Sequence, residues 1–168
     1  MPPAWILDAF AVVMLAVAAV SAARVAAARP WRRGGTAADT DIAHLLMAIA
    51  MSGMLTGSLR TIPLVAWESA LSVLMAWLVF RAARDARTGG LRALPAAHLV
   101  HCAAMLYMFL AAAQPSRYPA LAYAFALTLA GYAVWDLDRL SAGRPCRVMA
   151  GCRTAMGVTM AFMLVAMV

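Results

Sequence analysis

Long apolar runs, each ended by a short cluster of arginine, glycine and proline, organise this 168-residue chain. Six runs approach the about 20 residues an α-helix needs to cross a bilayer core: residues 3–28, 41–59, 63–80, 95–113, 119–137 and 148–168. Proline opens or closely precedes several of them, which suits a first helical turn, where its missing N–H is harmless. The pattern predicts an all-α fold, a six-helix transmembrane bundle forming a single domain over residues 1–168. No repeat, soluble domain or long linker interrupts it. The longest polar stretch, residues 29–40, is too short to fold alone.

Composition supports that reading. Hydrophobic residues make up 65% of the chain and charged ones 12%, against about 45–50% and about 25% in soluble domains. The mean hydropathy is +0.82. A lipid bilayer is therefore the principal expected partner, and the bacterial plasma membrane the expected location. There is no Lys and no Asn, and Ala is abundant; that bias points to a GC-rich bacterial genome such as an actinobacterial one. Met1, Pro2, Pro3, Ala4 and Trp5 supply no basic n-region. The first run is thus expected to be retained as a span, not cleaved as a signal peptide.

The net charge of +7 comes from arginine alone, and its placement sets the expected orientation. Arg24, Arg29, Arg32 and Arg33 mark the first connection. Arg81, Arg84, Arg87 and Arg92 mark the third, and Arg139, Arg144, Arg147 and Arg153 the fifth. The second has Arg60 and the fourth Arg117. Basic connections stay in the cytoplasm, so the expected topology is N-out and C-out. Charges spread over short loops in this way give no nucleic-acid surface. The three cysteines, Cys102, Cys146 and Cys152, form no disulfide framework.

This topology gathers chemistry at one depth. Asp39, Asp41 and His44 open the second span, His98 and His101 open the fourth, and Asp136 and Asp138 close the fifth. Ionisable groups at the edge of lipid usually face a protein interior or a functional site. Residues three apart lie on one helix face, so His98 with His101, and Asp41 with His44, can each present two ligands. Imidazoles and a carboxylate suit a zinc or copper ion, with Asp136 or Asp138 as a further ligand or a partner behind the ligands, and Cys102 as another candidate. The plainer account makes the aspartates helix caps, the histidines interfacial residues and Asp138 with Arg139 a surface ion pair.

Methionine extends these faces. His44 continues as Met47, Met51 and Met54, and His101 as Met105 and Met108. On the last span Met149, Cys152, Met156, Met160, Met163 and Met167 stay within an arc of about 80° at 100° per residue. Thioethers select Cu(I), yet methionine is also a flexible packing residue between helices. Gly53 and Gly57 form a small-xxx-small pair suited to helix contact. No GxSxG, Walker A or GxGxxG context is present.

The second span, with Asp41, His44, Met47, Met51 and Met54 spaced as DxxHxxMxxxMxxM, resembles a family of small actinobacterial membrane proteins catalogued as a domain of unknown function. That resemblance implies a multi-pass membrane protein and no activity. A mechanistic likeness exists to membrane hydrolases of the ceramidase and adiponectin-receptor type, which hold zinc with His and Asp near the cytoplasmic side. Six spans and HxxH spacing depart from their pattern. The leading expectation is a metal-binding membrane protein handling copper or zinc. The alternatives are an accessory subunit of a larger membrane complex or a homo-oligomer, a zinc-dependent hydrolase and, more weakly, a haem protein with histidine axial ligands.

Overall fold

The computed structural model describes residues 3–28, 36–56, 63–87, 93–113, 118–141 and 147–167. These form six α-helices and, among the described residues, no strand: α1 (Ala4–Ala28), α2 (Thr36–Leu55), α3 (Leu64–Arg87), α4 (Ala93–Ala113), α5 (Pro119–Ser141) and α6 (Arg147–Ala166). The all-α expectation holds, with two displaced boundaries that matter. α2 begins five residues before the expected start at Asp41, so Asp41 sits in its second turn. α3 continues through Arg81, Arg84 and Arg87, which are helical rather than part of a connection. Arginine is a good helix former and favours a helix C-terminus, where the dipole is negative.

Among the described residues, four helices, α1, α3, α5 and α6, are long and apolar enough to cross a membrane. α2 and α4 carry shorter apolar segments, Thr40–Leu55 and Ala97–Ala111. Large apolar side chains point outward: Val73 is 70% exposed and Leu127 75%, and Val12, Leu15, Val79, Phe80 and Val134 are exposed too. Among the described residues, the inside holds small residues, eight methionines and several polar groups, including Ser21, Asp41, His44, Ser52, His98, His101 and Thr159. Water penalises so much apolar surface, whereas lipid matches it.

The chain divides into two compact units. The first, Met1–Pro63, contains α1 packed along α2. Ala11, Met14, Val17, Ala18 and Ser21 form the buried stripe of α1, and Ala43, Met47, Ala50 and Met51 are buried on α2. Small residues at these positions let helix backbones approach without a hydrophobic driving force.

The second unit, Leu64–Val168, contains α3 to α6. α5 and α6 pack along each other, α3 packs on α4, and α4 also touches α5 and α6. Tyr107 ties α4 to the start of α5 by donating to the Tyr118 carbonyl at 3.0 Å, and its ring lies tilted against that of Phe125, with centroids 5.8 Å apart. Gly157 sets the closeness of α6. A methyl group there would lie 3.2 Å from the Leu129 carbonyl oxygen and 3.4 Å from the Ala133 Cβ. Hydroxyls within helices bond their own backbone, as Ser52 does to Ile49, Ser69 to Val65 and Thr159 to Ala155. Without water that is the cheapest way to satisfy a hydroxyl.

Candidate functional site

In the first unit the site begins at the facing ends of α1 and α2. Asp41 is 2% exposed and His44 1%. The Arg24 Nε of α1 donates to both carboxylate oxygens of Asp41, at 3.1 and 3.2 Å. The helix-cap reading of Asp41 is therefore corrected. Its carboxylate lies in the second turn and reaches across to α1, because α2 starts early enough to carry it past the cap. One turn further on, His44 is buried, and Met47 and Met51 continue the same face with no exposure. Met54 and Gly53 are half-buried, and Gly57 lies outside the described residues.

In the second unit α4 buries His98 and His101, followed by Cys102, Met105 and Met108. The His101 Nδ1 lies 2.7 Å from the Ala97 carbonyl oxygen. A carbonyl only accepts, so this bond assigns the proton to Nδ1 and leaves the neutral ring a lone pair on Nε2. That Nε2 is buried and has no hydrogen-bond partner. It faces α6 at Gly157, where an added methyl would come within 3.7 Å of it. Three residues before Gly157 on α6, the Thr154 Oγ1 is likewise buried without a hydrogen-bond partner.

Asp136 of α5 and Arg153 of α6 close this unit with a forked ion pair. The Arg153 Nε donates at 2.9 Å and its terminal nitrogen at 2.8 Å, one to each carboxylate oxygen. His101 lies within electrostatic reach of His98 and of both members of that pair. The forked geometry is the strong, directional form of an arginine–carboxylate contact. Asp138 is exposed. The side chains of Asp39, Asp85, Arg139 and Cys146 lie outside what the structure describes.

The methionine stripe of α6 is an interior face over its middle turns. Cys152, Met156, Met160 and Met163 are buried, Met149 is half-buried and Met167 is exposed. Cys102 and Cys152 are both buried and form no disulfide. Of the expected ligands, Asp41, His44, Met47 and Met51 belong to the first unit, and His98, His101, Cys102, Met105 and Asp136 to the second. Among the described residues no group of three or more His, Cys, Asp or Glu is arranged to hold a metal ion.

Sequence reasoning read Arg24 and Arg153 as topology signals and missed them as partners of Asp41 and Asp136. The available signal was the spacing. In each case arginine and aspartate lie 17 residues apart across a short connection, which places them at facing ends of a helix hairpin. Gly157 and Thr154 also went unmarked.

No curated protein and no solved structure matches the sequence. One family does match, over residues 36–167. The match takes in α2 to α6 and leaves α1 ahead of it. Neither its description nor the geometry above supplies a reaction. The chain belongs to the family described as Domain of unknown function (DUF5134).

Proposed function

We propose that this chain is a multi-pass protein of the bacterial plasma membrane that binds a transition-metal ion, copper or zinc, within its second unit. The observation that carries the reading is the His101 Nε2: a ring nitrogen that is buried, lacks a hydrogen-bond partner and faces a glycine on the neighbouring helix. A buried acceptor left unmet costs about 1–3 kcal/mol, and a metal ion is one group that relieves that cost. The Nδ1 bond to the Ala97 carbonyl is the usual outer-sphere support for a ligating histidine, fixing tautomer and ring orientation. His98, one turn earlier, is the second candidate donor.

The test is elemental analysis of the full chain purified in detergent without chelators, beside His101→Ala and a His98→Ala/His101→Ala variant. Near-stoichiometric copper or zinc in the parent, lost in the variants, supports the reading. A parent that holds no metal even after reloading removes it.

A second reading, an accessory subunit with no metal, is favoured by a different observation. Asp41 and Asp136 are already compensated by arginines, so they act as structural ties. This reading expects His101→Ala to fold and assemble as the parent does, and expects the protein to run as a larger complex in mild detergent. The hydrolase alternative needs three donors around an open position, and the arrangement around His101 offers it no support.

A further inference from the structure

Resting on the metal-binding reading above, we infer that the ion is Cu(I), held between α4 and α6 by the His101 Nε2 together with the thioethers of Met105 and Met160. The argument begins with direction. α4 and α5, and α5 and α6, are each joined by short connections and touch, so α4 and α6 run the same way. One point of their approach is His101 against Gly157.

Met105 follows His101 by four residues and Met160 follows Gly157 by three, so each lies on the same face as its reference residue, one turn further along. Both methionines are fully buried. Parallel helices thus place both methionines one turn to the same side of the His101–Gly157 contact, and methionine's flexible side chain gives the sulfurs reach. Gly157 has no side chain to compete for the space beside Nε2.

The chemistry of this donor set selects the metal. One imidazole and two thioethers are neutral and soft, which suits Cu(I) and not Zn²⁺, whose sites draw on His, Cys and carboxylates. The absence of a three-member His, Cys, Asp or Glu group among the described residues weighs against a zinc site and is silent on thioethers. Charge agrees as well. A monovalent ion is the less costly one to bury, and the nearby Asp136 and Arg153 neutralise each other. The competing account is one water bridging the His101 Nε2 and the Thr154 Oγ1, two orphaned buried atoms near Gly157. It satisfies hydrogen bonds and needs neither methionine.

The decisive experiment titrates the anaerobic, detergent-purified full chain with Cu(I) against a colorimetric Cu(I) chelator, and separately with Zn²⁺. Met105→Leu and Met160→Leu conserve volume and preserve the packing; melting of each variant beside the parent checks this. The expected result is one Cu(I) per chain in the parent. Each Leu variant is expected to weaken binding by about 10–100-fold, the range lost when even a supporting partner of a metal ligand is removed. His101→Gln should weaken it further. Zn²⁺ should not displace the copper.

Copper binding unchanged in both Leu variants overturns this ligand set while leaving a histidine metal site standing. Stoichiometric binding of Zn²⁺ alone, lost in His101→Gln, also overturns Cu(I) but keeps the broader reading. No binding of either ion by the parent overturns both and leaves the bridging water.

Discussion

Two helix hairpins in this chain are tied by the same device, and they use it differently. Arg24 meets Asp41 across α1 and α2, and Arg153 meets Asp136 across α5 and α6, each pair 17 residues apart. In the first pair one nitrogen is shared between both carboxylate oxygens, and burial is lopsided: the Arg24 side chain is 39% exposed and that of Asp41 only 3%. In the second pair two nitrogens meet two oxygens, and both side chains are 15% exposed. The order of charges is also reversed along the chain, arginine first in one hairpin and aspartate first in the other. What recurs is the electrostatic tie at the facing ends, not a sequence motif. What differs is which partner depends on the other.

The largest expected effects follow from that dependence. Arg24→Leu strands a nearly inaccessible carboxylate and is expected to destabilise the protein by about 3 kcal/mol, at the lower edge of what breaking a buried pair costs. Asp41→Asn leaves an arginine that still reaches solvent or headgroups, and should cost about 1 kcal/mol or less, as for exposed pairs. In the second hairpin Arg153→Leu and Asp136→Asn should cost nearly the same as each other, about 3 kcal/mol, because both charges are equally withdrawn. Thermal unfolding in detergent measures all four. Equal effects at Arg24 and Asp41, or a threefold difference between Arg153 and Asp136, would show that exposure does not govern these pairs.

Removing both members sharpens the comparison. Asp136→Leu with Arg153→Leu leaves no uncompensated charge, and apolar replacement of a buried pair is often neutral or stabilising by about 1–4 kcal/mol. The double variant is therefore expected to recover at least the stability lost by either single change. A double variant as weak as the singles would mean that the forked geometry itself, through its fit between α5 and α6, supplies the stability.

The helices were legible because apolar length and arginine punctuation are local signals that lipid amplifies. The interior was legible in type and not in partnership. Burial of Asp41, His44, His98 and His101 follows from the cost of exposing them to lipid, and the sequence reading anticipated it. Which group satisfies each one depends on helix pairing, which periodicity does not encode. Asp41 was read as a possible cap because the apolar run begins there, but the helix starts at Thr36 and carries Asp41 to Arg24 instead. The α6 methionines were legible as one face since a 3-4 spacing has few alternatives, although Met167 at its end is exposed. The close contact at Gly157 left no trace in the sequence beyond a glycine among apolar residues, and Gly53, which had the more suggestive spacing, is half-buried.

Two glycines in the second unit extend the contrast to its smallest scale. Gly157 has a carbonyl oxygen 3.2 Å from where a methyl would sit, while Gly131 on α5 has nothing within 4 Å. The Leu129 carbonyl belongs to a helix backbone and cannot swing aside, so Gly157→Ala must move α6 away from α5. Overpacking of this kind costs about 1–3 kcal/mol, and the displacement also shifts the fixed point that α6 presents to His101. Gly131→Ala meets no neighbour and replaces the residue least suited to a helix interior, so it is expected to stabilise by up to about 1 kcal/mol. Melting temperatures of the two variants give the signs directly. Destabilisation by Gly131→Ala would mean that the face of α5 at Gly131 is not open. Tolerance of Gly157→Ala would mean that α5 and α6 do not approach at Gly157, and the facing of His101 toward that glycine would lose its basis.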